Sequence, residues 1–205
     1  MTMITSSKPS YILPFESLKK SDVELVGGKC ANLGELTSFG MPVPPGFAIT
    51  ADAYKYHLAK NKLQGAIASA LAEMDVADTY SLEAASAKIR ATIENAPLPK
   101  PLASAIIDAY RSLGEKLKTN DPVVAVRSSA TAEDLPGASF AGQQDTYLFV
   151  SGEKALLRYV AKCFSSLYTP RAIVYRKEKG FNDSKVYLSV AVQKMVNSKS
   201  AGVMF

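Results

Sequence analysis

The sequence predicts a mixed α+β or α/β fold in which a helical segment and a mixed sheet share one chain, and three observations carry that prediction. Apolar residues recur at helical spacing through 61–119. They alternate at strand spacing through 185–196. Short apolar runs bounded by turn residues stand at 47–49, 123–126 and 146–150. Taken in order, residues 1–12 read as a leader without fixed structure: Met1–Pro9 is polar, lacks the apolar centre of a signal peptide, and opens on MTMITS, which resembles a common vector start. A Gly27-Gly28-Lys29 turn then opens a helix with Leu33, Leu36 and Phe39 on one face. Gly40 ends it, and Pro42, Pro44 and Pro45 forbid its continuation. Phe47–Ile49 is a short strand, and Thr50 caps a helix running to about Lys60.

Three apolar stripes follow, Leu63/Ile67/Leu71/Met74, Leu82/Ala85/Ile89/Ile93 and Leu102/Ile106/Tyr110/Leu113/Leu117, all read as core-packing faces. The character changes at Asp121-Pro122. Val123–Val126 is a buried strand that delivers Arg127 at its end, Ser128–Gln144 a loop, and Thr146–Val150 a second strand. A helix covers about Glu153 to Tyr168, and Thr169-Pro170 caps another that Gly180 ends. In the alternating run, Val186, Leu188, Val190, Val192 and Val196 point one way, and Tyr187, Ser189, Ala191, Gln193 and Met195 the other. Gly202–Phe205 begins a returning strand with no polar tail, so the expectation is a chain cut inside a sheet. The expected organisation is therefore a leader (1–12), a mainly helical first subdomain (13–120) and a truncated α/β subdomain (121–205).

Composition bounds the function classes. Of 205 residues, 47% are hydrophobic and 21% charged, as in an ordinary globular chain, and 24 Lys+Arg against 19 Asp+Glu give a net charge of +5. The excess favours anionic partners. The basic residues are spread along the chain without an aromatic-interleaved run, so nucleic acid is not the expected one. No apolar run approaches the ~20 residues of a membrane span. Cys30 and Cys163, far apart and outside any CxxC pairing, fit a reducing, cytoplasmic setting.

The candidate chemistry is phosphate binding. Gly27-Gly28-Lys29 at a helix start offers free backbone N–H groups, the positive end of the helix dipole and a mobile cation; the same residues also serve as plain turn chemistry. Arg127 leaves a buried strand and heads a segment of hydroxyls and glycines that suits phosphate oxygens, unless Arg127 instead pairs Glu133 or Asp134. Gln193, in an otherwise apolar and small-residue strand, either reads a base edge or caps a backbone group. His57, the only histidine, sits on an amphipathic helix and reads as a surface or packing residue. No set of residues has metal-ligand spacing.

Several blocks carry a family resemblance. GGKCANLGEL at Gly27–Leu36, PVPPGF at Pro42–Phe47, VRSSATAEDLP at Val126–Pro136, ASFAGQQDTY at Ala138–Tyr147, CFSSLY at Cys163–Tyr168, RAIVYR at Arg171–Arg176 and VQKMV at Val192–Val196 occur in order. Together they resemble the amino-terminal ATP-binding domain of the phosphoenolpyruvate synthase and pyruvate phosphate dikinase family, from about Leu13 to Phe205. The resemblance implies an ATP-grasp-type nucleotide-binding domain. It implies that Lys29 and Arg127 grip ATP phosphates, that Gly142 and Thr146 line the nucleotide with Tyr147 beside them, and that Gln193 lies near the adenine. Cys30 stands where relatives commonly have glycine, and Gly137 where they commonly have an acidic residue.

The implied full-length reaction converts ATP, pyruvate and water to AMP, phosphoenolpyruvate and phosphate through a phosphohistidine, in gluconeogenic pyruvate metabolism. The acidic Mg2+ ligands, the phosphohistidine domain and the pyruvate-binding domain would lie in later parts of the parent chain, and a homodimeric full-length protein fits the same picture. The fragment alone is expected to be inactive. Pyruvate phosphate dikinase is a poorer match in the arginine loop, and rifampicin phosphotransferase shares that loop but resembles tryptophan-bearing versions of the segment that here reads CFSSLY. A non-catalytic interaction module that kept the fold is the alternative of another class.

Overall fold

A computed structural model describes residues 10–131, 145–181 and 186–202. Strand β1 (Ile12–Pro14) leads through a 3-10 turn to helix α1 (Val23–Ser38) and strand β2 (Gly46–Ile49). Helices α2 (Ala51–Lys60), α3 (Gln64–Glu73), α4 (Thr79–Asn95) and α5 (Lys100–Leu117) follow. Then come β3 (Val124–Ala130), β4 (Thr146–Val150), α6 (Glu153–Ser165), α7 (Pro170–Glu178) and β5 (Leu188–Lys194).

Local chemistry explains most of these boundaries. Thr50 Oγ1 accepts from the Ala53 N–H at the start of α2, and Thr169 does the same for Ala172 at the start of α7, where Pro170 takes the first helical position. Gly180, at φ 67°, stands just beyond the end of α7. No helix of the described residues is long and apolar enough to cross a membrane.

The sheet runs β1-β2-β5-β3-β4. Every pairing among the described strands is antiparallel, so the expected mixed sheet is corrected to an antiparallel one in an α+β arrangement. β1 and β2, from before residue 120, and β5, β3 and β4, from after it, join through the pairing of β2 with β5, and the expected two subdomains therefore share one sheet and one core. The expected leader also ends too late. Ile12 pairs with Ile49, the Thr50 N–H donates to the Tyr11 carbonyl, and the Tyr11 ring stacks on Tyr56 at 5.0 Å. The expected returning strand falls on 203–205, outside the described residues.

Antiparallel partners lie on the same side of a sheet, so the register sorts the side chains into two faces. One face carries Phe47, Ile49, Val124, Val126, Val150, Leu188, Val190 and Val192, and packs into the helical layer. There all three sequence stripes are buried as expected, save the partly covered Ala85 and Leu117. The other face carries Ala48, Ala125, Arg127, Ser129, Thr146, Ser189, Ala191 and Gln193. Among the described residues, α1 with its preceding turn covers it, through Phe15, Leu18, Val26, Cys30 and Ala31.

That packing corrects the expected face of α1. Leu36 and Phe39 are exposed, and the buried residues are Val26, Gly27, Gly28, Cys30, Ala31 and Gly34. The reason is distance: a Cβ on Gly34 would lie 2.4 Å from Leu18 Cβ, so the helix approaches through its small residues and turns the larger ones outward.

Candidate functional site

The site grows from the break in α1. Gly27 has φ 69° and ψ 164°, a conformation reserved for glycine, and the helix restarts at Gly28. Restarting frees the backbone N–H groups of a second helix N-terminus. Two serines on the sheet dock it. Ser189 Oγ donates to the Val26 carbonyl stranded by the break, and the Cys30 N–H donates to Ser129 Oγ at 3.5 Å. The approach is so close that a Cβ on Gly27 would sit 2.4 Å from Ser129 Oγ and 2.5 Å from the Ser129 carbonyl oxygen. From the next turn, Lys29 Nζ donates to the Ser128 carbonyl at 3.1 Å, bringing the ammonium onto β3.

Arg127 does not follow the strand, as the sequence reading had it; it lies within β3, opposite Thr146 on one side and Ala191 on the other. The strand continues through Ala130 because its hydroxyls are satisfied where they stand. Ser128 Oγ donates to the Asp145 carbonyl at 3.0 Å, and Ser129 Oγ serves α1. These serines therefore build the scaffold. The rest of the expected loop, 132–144, lies outside the described residues, and with it Gly142, Gly137, Glu133 and Asp134. Arg127 is half-buried, and among the described residues its guanidinium has no hydrogen-bond or ion-pair partner.

Thr146 is exposed on the same face as Arg127. Gln193 is on that face too, opposite Gly46 and Ala125, and its Nε2 donates to the Pro44 carbonyl at 3.2 Å, the backbone-capping option of its two. An amide retains a second hydrogen and a carbonyl oxygen for other partners. Tyr147 is not brought to this group. It pairs with Val126 on the opposite face, its ring lies 4.7 Å from that of Tyr159, and its hydroxyl donates to Asp145 Oδ2 at 2.9 Å. Strand alternation forbids adjacent residues from sharing a face, which is the physical reason for this correction.

The electrostatics agree with the geometry. The Lys29 and Arg127 charges both act on the buried Cys30 thiol and favour its thiolate, but burial dominates and pushes the thiol up to about 11. His57 takes the packing role of its two expected ones: it is buried, its Nε2 lies 3.3 Å from the Ile93 carbonyl, its ring tilts against Phe164, and burial lowers its pKa. A cavity of about 340 Å³ lined by Tyr54, Leu58, Ile67, Leu71 and Tyr187 lies among the helices, away from Lys29 and Arg127.

Two docking residues, Ser129 and Ser189, escaped the sequence reading. Their signal was present, since strand alternation already set Ser189 on the face of Gln193.

Set beside known proteins, residues 23–205 match the family model described as pyruvate phosphate dikinase, AMP/ATP-binding domain. The chain belongs to that family. A protein named probable phosphoenolpyruvate synthase from Methanocaldococcus jannaschii is 52% identical over 95% of this chain, and one of the same name from Methanothermobacter thermautotrophicus is 49% identical over 95%. The phosphoenolpyruvate synthase of Pyrococcus furiosus is 45% identical over the same share. The chain spans 16% of the first relative and 28% of each of the other two. Within the pyruvate phosphate dikinase family, then, it corresponds to the AMP/ATP-binding domain and to a small part of the whole.

Proposed function

We propose that this chain supplies the first part of an ATP-grasp-type nucleotide site, the ATP-binding portion of a phosphoenolpyruvate synthase. The observation that carries the reading is the convergence of Lys29 and Arg127, distant in sequence, with Thr146 and Gln193 on one sheet face, while the opposite face is packed by helices. Two cations beside a helix N-terminus form a polyanion site. Lysine contributes a point charge and arginine a planar fork that spans two phosphate oxygens. In this reading Thr146 donates a hydroxyl, Gln193 offers its amide toward the base, and Gly142 lines the nucleotide. Tyr147, facing the helical layer, acts on the scaffold.

Magnesium, where bound, supplies charge neutralisation on the phosphate chain. Among the described residues no group of three His, Cys, Asp or Glu is placed to hold a metal ion, and in this reading the acidic magnesium ligands come from later parts of the parent chain. The phosphohistidine and pyruvate-binding domains, a cytoplasmic setting and a homodimeric assembly belong to the same proposal. So does the overall conversion of ATP, pyruvate and water to AMP, phosphoenolpyruvate and phosphate.

The test uses the full-length protein and separates its two half-reactions. Arg127→Ala is expected to slow ATP-driven histidine phosphorylation by roughly a hundredfold or more, the rate equivalent of losing about 3 kcal/mol of transition-state stabilisation. Phosphoenolpyruvate-driven phosphorylation of the same histidine survives. Lys29→Ala acts on the same step, and the double variant is less than additive because both charges serve one phosphate chain. Near-normal ATP-driven phosphorylation in Arg127→Ala, or equal loss of both half-reactions in a folded protein, overturns the reading.

A further inference from the structure

Asp145 stands where β4 begins, and its two ends bond in different directions. Its Oδ2 accepts from Arg90 Nη2 of α4 at 3.2 Å and from the Tyr147 hydroxyl at 2.9 Å. Its backbone carbonyl accepts from the Ser128 N–H at 3.2 Å and from Ser128 Oγ at 3.0 Å. Ser128 in turn presents its own carbonyl to Lys29 Nζ at 3.1 Å. An unbroken series of contacts therefore runs from a helix behind the sheet to the ammonium in front of it. Arg127 and Thr146, which pair with each other, are the chain neighbours of Ser128 and Asp145.

Beyond the packing of Tyr147 on Tyr159 and of Val150 in the core, the contacts of Asp145 hold the register at that point. Among the described strands β4 is an edge strand bonded to β3 alone, its pairing slips between Val124 and Val126, and Phe149 takes φ 56° beside the slip. An edge strand with a bulge is weakly specified in register, and a slip of one residue would turn Thr146 away from Arg127. Arg90 is oriented before it meets Asp145: its Nε donates to Ser165 Oγ at 3.4 Å and lies 3.7 Å from Glu94 Oε1, while Ser165 Oγ donates to Glu94 at 2.6 Å. Asp145 thus meets a guanidinium whose direction α4 and α6 have already set. Among the described residues, Arg90 is the cation paired with Asp145.

We infer that Arg90 is a positioning residue for the phosphate-binding set: it holds Asp145, and through Asp145 it fixes the pairing of Arg127 with Thr146 and the Ser128 carbonyl that seats Lys29. This rests on the ATP reading above. An ion pair with both side chains partly exposed contributes little to global stability, so the effect of Arg90 is expected at the site rather than on the fold. A small misplacement of binding groups far from the chemistry lowers rate steeply, on the order of tenfold or more.

The experiment compares Arg90→Ala, Arg90→Lys and Asp145→Asn with Arg127→Ala in the full-length protein. Arg90→Ala is expected to lower kcat/KM for ATP-driven histidine phosphorylation on the order of tenfold, with KM for ATP raised. The phosphoenolpyruvate-driven half-reaction and the thermal midpoint stay near wild type. Arg90→Lys, which keeps a charge for Asp145 without the fork to Ser165, falls between. Combining Arg90→Ala with Asp145→Asn is no worse than Asp145→Asn alone. Amide exchange gives a readout independent of nucleotide: the Ser128 N–H exchanges faster in Arg90→Ala, while amides of β5 do not.

Unchanged ATP kinetics and unchanged Ser128 exchange in Arg90→Ala, beside a severe loss in Arg127→Ala, overturn this inference alone. An intact ATP-driven step in Arg127→Ala overturns the ATP reading and this inference with it. Equal loss of both half-reactions together with the midpoint, repeated in Arg90→Lys and Asp145→Asn, makes Arg90 merely structural and also overturns it.

Discussion

Gly27→Ala tests the geometry on which the site stands. At φ 69° and ψ 164°, Gly27 occupies a region that costs any other residue about 1–3 kcal/mol. The added Cβ would also lie 2.4 Å from Ser129 Oγ and 2.5 Å from the Ser129 carbonyl oxygen. A serine hydroxyl can rotate away, but the carbonyl belongs to β3, which is bonded on both sides, so the helix start must retreat. Such overpacking costs about 1–3 kcal/mol more. The sum is about 4 kcal/mol, or a fall of about 8–16 °C in Tm for a chain of this size. Gly40→Ala is the internal control: its φ is 73°, yet nothing lies within 4 Å of its Cβ, so it carries only the backbone cost of about 1–2 kcal/mol. Urea unfolding of both variants is expected to show the larger loss in Gly27→Ala, the excess reporting chiefly the contact with Ser129. Equal losses in the two, or a Gly27→Ala chain as stable as the parent, refute the docking of the α1 restart on Ser129.

Tyr110→Phe removes a buried hydroxyl that stands 2.5 Å from Asp121 Oδ1 and 2.7 Å from the Pro122 carbonyl and accepts the Gly152 N–H at 3.1 Å; denaturant unfolding should show a loss of about 1–2 kcal/mol. Burial, with the Asp121 carboxylate beside it, pushes this phenol up to about 12 from 10.0, so its contribution is complete below about pH 10 and is lost as pH rises toward about 12, and Tyr110→Phe flattens that alkaline limb. Cys30 and Cys163 are both buried with raised pKa, so neither is alkylated by iodoacetamide in the folded chain at about pH 8, and both are alkylated after unfolding; rapid native labelling contradicts the burial.

What the sequence revealed followed from periodicity. The stripes through Ile67, Ile89 and Ile106 are buried because long apolar faces tolerate little ambiguity. The α1 stripe misled for a physical reason. Leu33, Leu36 and Phe39 share a helical face, but the helix meets the alanines and serines of the sheet through Cys30 and Ala31 and the Leu18 turn through Gly34, which leaves Leu33 partly covered and Leu36 and Phe39 exposed. Ser128 and Ser129 misled in the opposite sense. Small polar residues beyond an apolar run suggest a loop when read locally, and their strand pairing with Ser189 and Val190 depends on residues far along the chain. Lys29, Arg127, Thr146 and Gln193 were legible as residues. That they meet on one face was not, because it needs the strand order β2-β5-β3-β4, and antiparallel register is invisible to a single-strand reading. The separation of Tyr147 from Thr146 follows from alternation alone and was available without the structure.

The division of labour between the two sheet faces bears on why Arg127 is where it is. On the apolar face, long aliphatic side chains meet helices, and Arg90, Asp145 and Glu94 there are tied to one another. On the other face, serines and alanines keep the surface low enough for the α1 restart to lie against it, which brings Lys29 to the carbonyl beside Arg127. A half-buried guanidinium, close to an ammonium and a helix N-terminus, gathers positive charge on one side of the sheet. Charge of one sign gathered on rigid elements is costly to the folded chain by itself and favourable once an anion arrives, because the cations need no reorganisation to receive it. The strained backbone at Gly27 and the proposed affinity for a phosphate chain are thus two consequences of one arrangement.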